Sequence, residues 1–394
     1  MQILKAANQW QTRPAEERFW DVAEALQAAR EIKAAAAESE VDPGTLRVEA
    51  IDGDLSIIGQ RKIPAQLSHH AFGQLCARMK APASYLRALP PTLAAQNLNH
   101  GLKHASGEDA KKCKLLIHRK DDGFLTRAVT SDSYVRIWNA DLLERLQEVT
   151  PQGWRVPPAR PASIKGERTR TATAADVSRM SQVFGAGIPV RVGDTIAPAG
   201  MYLSDKDIFA FLINENDPIS DGTPYPLFRG IMLWNSEVGD CSLGGMAFML
   251  KGVCGNHIVW DARNVMEFAL RHVGAVAERA HGALEVHMKK YAADSANEEQ
   301  GRVKLAKAKV LGATKQDVID AVLGFARSKK IAGITQNTLN AAYDTAVEHE
   351  AWYGDPNTVY GVVNGLTEVS QRETHADQRN ALDRAAGRVM TMAF

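Results

Sequence analysis

Residues 227–261 read LFRGIMLWNSEVGDCSLGGMAFMLKGVCGNHIVWD, and this stretch decides the fold. Two apolar runs, 231–234 and 246–250, flank a polar, glycine-bearing turn over 235–245. A second small polar turn, 252–256, follows. Apolar runs of four to five residues bounded by turn residues predict strands. From Asp261 the spacing becomes helical: Val265, Phe268, Ala269, Val273, Val276, Ala280 and Leu284 fall on one stripe, which predicts a long helix over 261–290. Strand, turn, strand and helix place Asn235, Ser236, Glu237, Asn256 and His257 at the ends of a buried sheet, where a fold can aim polar groups.

Working outward, two hairpins precede this unit. LRVEAI–DGD–LSIIGQ turns at Asp52-Gly53, and KLLIHRK–DDG–FLTRAVTS turns at Asp121-Asp122-Gly123. A third, MYLSDKDIFAFLIN, turns around Asp205-Lys206. Residues 11–37 read as a helix, with Pro14 suited to its first turn. Two short helices between them are broken at Pro82 and at Pro90-Pro91. In SDSYVRIWNADLLERLQEV the chain passes from extended to helical with Asn139 as an N-cap. Downstream, Thr314-x-x-Asp317 opens a helix through Arg327 as a capping box. Further helices are expected at 335–350, 357–370 and 374–393. The fold class is α+β: one antiparallel sheet of about four or five strands, backed by the 261–290 helix and followed by a helical C-terminal region. The expected division is 1–112, 113–290 carrying a basic arm at 151–173, and 291–394.

A formal net charge of +1 over 394 residues excludes a globally basic or acidic protein, so any anionic polymer must be met by local patches. No apolar run approaches the ~20 residues of a membrane span, and no signal peptide is read at the start. The four cysteines, Cys76, Cys113, Cys241 and Cys254, form no CxxC pair, which fits free thiols in a reducing cytoplasm.

Strong catalytic signatures are absent: there is no GxxxxGK[ST], HExxH, GxSxG, strand-linked GxGxxG or EF-hand loop. No cofactor is expected. Cys241, Cys254 and His257, with Cys113 or His118 as a further ligand, form the best metal candidate, since thiolate and imidazole suit zinc, against the plainer reading of small packed cysteines. Glu237 and Asp240, with Asp132, are the carboxylates that could gather a divalent metal, although Asp121-Asp122 is turn chemistry. The clearest pattern is basic residues interleaved with aromatics. It runs through Arg119, Lys120, Phe124, Arg127, Tyr134, Arg136, Trp138, Trp154, Arg155, Arg160, Lys165, Arg168 and Arg170. Single-stranded nucleic acid needs cations along its phosphates and π-faces for its bases. The competing reading makes the tryptophans core and the arginines solvated. Asn235, Glu237 and Asn256 have no evident structural account.

AFGQLCARMKAPASYLRALP, RAVTSDSYVRIWNADLLERL and LWNSEVGDCSLGGMAFMLKGVCGNHIVW resemble the phage/plasmid-like proteins, a domain-of-unknown-function family of prophages, phages and conjugative plasmids. LRHVGAVAERAHGALE and NTVYGVVNGLTEVSQRE add to the likeness in order. Cys254-Gly255-Asn256-His257 departs from the Cys-Thr/Ser-Asn-Gly expected there. The resemblance implies a mobile-element, cytoplasmic setting and no stated activity. The order helix 139–149, Gly153-Trp154, strands over 201–251 and helix 261–290 is also similar to the Rad52-type single-strand annealing core, an analogy of fold alone.

The expectation from sequence is therefore a non-catalytic, ATP-independent binder of single-stranded nucleic acid, DNA before RNA. It would act in annealing or recombination as a ring or filament of identical subunits, away from membranes. A metal-dependent nuclease built on Glu237 and Asp240, or a protein-binding anti-defence factor, is the alternative.

Overall fold

The computed structural model describes all residues except 1–12, 61, 164–165, 186–189, 252–255, 259–266, 285–290, 292–295 and 373–375; for 256–258, 267, 281 and 376–380 it describes the backbone alone. The chain is α+β, with antiparallel hairpins and a helical C-terminal region. The two apolar runs of the deciding stretch are the longest hairpin, Leu227–Ser236 against Leu243–Lys251.

That hairpin is the centre of a seven-stranded sheet. Asp207–Asn214 pairs on one side of it, followed outward by Met201–Leu203, and Trp154–Arg155 pairs with the end of Asp207–Asn214. Asn256–Ile258 and Glu267–Leu270 both pair with Leu243–Lys251. The three long strands are buried over their whole length because both faces are covered. Leu212, Ile231, Leu233 and Ala247 pack with Leu26 of helix Val22–Ala34 and Leu143 of helix Asn139–Gln147. Phe209, Phe211, Phe228, Trp234 and Phe248 pack on the other face with Val183 of helix Ala174–Phe184. A sheet buried on both sides reads as near-continuous apolar runs, which is why these strands stand out in the sequence.

A second sheet of six strands runs Ala36–Val41, Cys113–Lys120, Gly123–Ser131, Pro64–Leu67, Asp54–Ile58, Arg47–Ile51. All pairs are antiparallel except Pro64–Leu67 with Gly123–Ser131. Helices His69–Arg78 and Pro91–Lys103 cover it, with Phe72, Leu75 and Leu98 against Val48, Ile57 and Leu115. The Asp52-Gly53 turn takes positive φ at both residues, as a two-residue hairpin requires. Helices Asn297–Ala308, Lys315–Ser328, Gln336–Glu348 and Val359–Gln371 form a third cluster that reaches the sheet at Leu227 and Met249. The Thr314 capping box is present.

Five expectations are corrected. The single sheet of four or five strands is instead a seven-stranded, a six-stranded and a small three-stranded sheet. The helix read over 11–37 spans only Val22–Ala34, and Pro14 precedes a separate single turn, Ala15–Glu17. The helix expected over 261–290 is a strand, Glu267–Leu270, and then a helix that starts only at Val276; residues 261–266 and 285–290 lie outside the described residues. The strand carries Phe268, Ala269 and Leu270 in succession, so a helical stripe can be drawn through two of them as readily as a strand. The division expected between 112 and 113 cuts the six-stranded sheet, since the 113–131 hairpin is central to it. Asn139 is the first helical residue and not the cap: its backbone N–H donates to Glu237 Oε1 at 2.8 Å.

Candidate functional site

Glu237 lies just past the end of the Leu227–Ser236 strand, and both of its carboxylate oxygens are engaged. Oε1 receives the Asn139 N–H, and Oε2 receives Arg127 Nη2 at 3.0 Å. Both side chains of the ion pair are 1% exposed. Arg127 arrives there through a β-bulge. Leu116 pairs with Ala128 and Ile117 with Thr126, leaving Arg127 as the extra residue. A bulge bends the strand and re-aims the bulged side chain. Here the guanidinium leaves the six-stranded sheet for the carboxylate of the seven-stranded one, and its Nε also donates to Asp205 O at 2.9 Å.

The neighbours complete a seam between the sheets. Asn235 Nδ2 donates to Ile137 O at 2.9 Å and to Asn139 Oδ1 at 2.8 Å. Tyr134 Oη–H donates to Ser236 O at 2.8 Å. Ser236 Oγ–H donates to Lys206 O at 2.9 Å and accepts from Asp240 N–H. Gln74 Nε2 donates to Val238 O at 2.7 Å. Asn235 and Glu237, without account in the sequence, are thus the polar seam of the fold. Asn256 pairs with Lys251 through its backbone; its side chain lies outside the described residues.

The interleaved basic and aromatic residues divide into three sets. Tyr134, Arg136 and Trp138 alternate along an extended segment and stack on one another. Arg136 lies 5.3 Å from the Tyr134 ring and 5.8 Å from the Trp138 ring, and its charge is met by Glu38 at 2.6 Å. Trp154 is fully buried, 5.8 Å from Tyr291 and 5.7 Å from the Arg229 guanidinium. Neither Trp154, Tyr134 nor Arg127 presents a solvent face to a base, because each fills a buried position. This corrects their expected role.

The arm forms the second set, and its guanidiniums meet carboxylates of the same chain. Arg160 pairs with Glu167 and Arg168 with Glu24. Arg170 grips both oxygens of Asp176 at 2.6 Å, and this pairing holds the Asp176 carboxyl well below the usual carboxylate range. Short strands at Arg160–Pro161 and Arg170–Thr171 flank Thr195–Ala197, so the arm is pinned as a small sheet. Lys165 lies outside the described residues.

Arg119, Lys120 and Arg155 make the third set: all are exposed, and none has an ion pair with a described residue. Arg155 lines a cleft of about 330 Å³ with Trp20, Asp21, Val22, Thr150 and Arg179. Arg170 lies 4.4 Å over the Trp20 ring at this cleft, and Arg179 is held by Glu215. Trp20 stands apart from the basic stretches in the chain, so no local pattern pointed to it. Val22 opens helix Val22–Ala34, and Arg119 and Lys120 sit near its far end, where Arg119 N–H donates to Ala35 O. Thirteen helical residues separate the two ends by about 20 Å.

Among the described residues no three His, Cys, Asp or Glu side chains come together as a metal site. Cys241 is a free thiol that burial pushes strongly up in pKa, and Cys254 and the His257 side chain lie outside the described residues. Asp240 approaches His70 at 3.9 Å, and Asp132 is exposed, its oxygen receiving the Ser133 N–H. With Glu237 committed to Arg127 and Asn139, these carboxylates do not converge.

Residues 196–390 match the family model of a domain of unknown function (DUF932). No curated protein and no solved structure matches the chain. The DUF932 stretch takes in the long hairpin, its flanking strands and the C-terminal helices. Asn235, Glu237 and Asp240 therefore lie within it. The six-stranded sheet, the arm and the Trp20–Arg155 cleft lie upstream.

Proposed function

We propose that this protein binds single-stranded nucleic acid, DNA before RNA, without ATP, in the annealing or recombination work of a phage or plasmid. The observation that supports this reading is the Trp20–Arg155 cleft, where an exposed guanidinium with no ion pair to a described residue stands beside an aromatic ring. Arg155 takes a phosphate, a base packs at the half-buried Trp20 ring beside the Arg170 guanidinium, and Arg119 and Lys120 take up the backbone about 20 Å away along helix Val22–Ala34. Such a short track serves annealing only when repeated, so identical subunits assemble along the strand. The chain would work in the cytoplasm of a bacterial host; no helix among the described residues is long and apolar enough to cross a membrane.

Fluorescence anisotropy of a labelled oligonucleotide against salt tests the reading. Micromolar binding that weakens with salt is expected, and Arg155→Ala should lower the magnitude of the log–log salt slope by about 0.7. Arg160→Ala, which removes a cation already paired to Glu167, should leave that slope unchanged. Absence of salt-sensitive binding to single-stranded DNA or RNA at micromolar protein overturns it.

A further inference from the structure

His272 follows the strand Glu267–Leu270 and is 5% exposed, wedged against the extended 134–138 segment. Its ring stacks on Tyr134 at 5.0 Å and 11°. Arg136 covers the same tyrosine ring at 5.3 Å. The backbones are tied as well: Val135 N–H donates to His272 O at 2.8 Å, and Tyr134 bridges Val273. The His272 Nδ1 is 3.1 Å from Val135 O. A carbonyl only accepts, so Nδ1 carries the proton and Nε2 is the bare nitrogen of a neutral ring. Nε2 is buried and has no hydrogen-bond partner among the described residues.

We propose that His272 is a pH-sensitive latch: neutral, it clamps the 271–274 segment onto residues 134–136, and a proton at Nε2 releases it. That proton would add a buried N–H with no acceptor among the described residues, which costs the desolvation of a charged group. The surrounding charges do not relieve it. Arg136 is a cation on the next layer of the stack. Lys114 is a second cation nearby, donating to Tyr134 O. Glu38 is taken by Arg136 and lies 3.8 Å from Lys114, and Glu237 is taken by Arg127 and Asn139. Tyr134 and Cys241, which also face this region, are both pushed up by burial and stay neutral. On its own segment Arg271 and Arg279 add positive charge, and Glu278, exposed in the first turn of helix Val276–Ala283, is not among the groups that act on the ring. Burial lowers the imidazole pKa below 6.5; the bond to Val135 opposes this, and Arg136 adds to the burial effect. A base whose closed-state pKa is depressed keeps its full contribution above the open-state pKa. The latch therefore holds at neutral pH and weakens as pH falls below about 6.5.

Hydrogen exchange on the full chain, corrected for intrinsic rates, tests this without any ligand. It therefore separates from the nucleic-acid reading. Protection of the Val135 amide, relative to Leu233 in the central strand, should fall by up to roughly tenfold per pH unit below 6.5. His272→Phe keeps a ring on Tyr134 but cannot titrate, and should remove that pH dependence. A flat wild-type profile, or an equal slope in the variant, overturns the proposal. If His272→Phe fails to fold, titration of the His272 ring by NMR in the wild type decides: a midpoint at or above 6.5 overturns it, and one clearly below supports it.

Discussion

At the scale of single residues, the seam between the sheets rests on one buried ion pair made available by one bulged residue. Arg127 and Glu237 are 110 positions apart, and each is 1% exposed in its side chain. Removing one charge from such a pair strands the other away from water, whereas removing both leaves no charge to solvate. Glu237→Gln keeps an acceptor for the Asn139 N–H but leaves Arg127 without its counter-ion, so it should lower stability by about 3 kcal/mol. Arg127→Met should cost a similar amount. The double variant Arg127→Met/Glu237→Gln should cost well under the sum of the two. Urea unfolding of the four proteins checks this; additive costs would mean that the pair does not couple. The sequence marked Glu237 as unusual but could not say why. A carboxylate's partner is invisible when it comes from another sheet, through a bulge that leaves no compositional trace. The alternation of Tyr134, Arg136 and Trp138 was legible as a pattern, while its meaning depended on Glu38 closing over it from nearly a hundred residues away.

Elements show the reverse: where chemistry was local, it was readable. Asp52-Gly53, the Thr314 capping box and the prolines at 82, 90 and 91 act within a few residues of themselves, and each sits where the sequence put it. The central hairpin was read from its apolar runs, but what holds its register was not. Trp234 lies opposite Gly244, and Phe248 opposite Gly230, each ring filling the space above a glycine across the ladder. A Cβ on Gly244 would fall 2.0 Å from Cζ2 of Trp234. The tryptophan is fully buried among Phe209, Met232 and Phe248, so it has nowhere to retreat. Gly244→Ala should therefore lower stability by about 2–3 kcal/mol through overpacking. Gly282→Ala, in a helix and with open space around it, should be neutral or slightly stabilising. Thermal unfolding of the two variants distinguishes them; equal behaviour would show that the ring-on-glycine fit carries no weight. The misread helix over 261–290 belongs here too. Phe268 and Ala269 satisfy a helical stripe, but they lie opposite Gly245 and Gly244 in the ladder, a pairing that spacing along one segment cannot reveal.

On the scale of the whole molecule, the central sheet is joined to the C-terminal helices through a second buried charge cluster. Lys251 ends the inner strand, fully buried, and donates to Asp221, to Thr223 Oγ1 at 2.9 Å and to Tyr225 O at 2.7 Å. Tyr360, from helix Val359–Gln371, donates its hydroxyl to the same Asp221 oxygen, and Lys307 of helix Asn297–Ala308 donates to Asp221 O. One aspartate thus gathers a strand end and two helices that are distant in sequence. Burial alone would raise its pKa; the Lys251 charge and the bonds from Lys251, Thr223 and Tyr360 outweigh it and hold the carboxyl below its usual value. For an acid with a depressed folded-state pKa, the stabilisation is present above the unfolded value of 3.8 and is lost as pH falls through the folded one. Acid should accordingly loosen the helical region from the sheet below about pH 4, at a lower pH than the His272 latch responds. Asp221→Asn imitates that state at neutral pH. It takes the carboxylate away from a charged Lys251 in a dry site, and should cost about 3–5 kcal/mol. Tyr360→Phe removes the hydroxyl that donates to the Asp221 carboxylate and should cost about 1.5–2 kcal/mol, less than loss of the carboxylate itself. Limited proteolysis at pH 7.5 reads the difference in place: Asp221→Asn should become cleavable between the sheet and the C-terminal helices, while Tyr360→Phe should stay resistant. If both variants resist equally, the helices are held by the apolar contacts of Leu227 and Met249, and the charge cluster is a passenger.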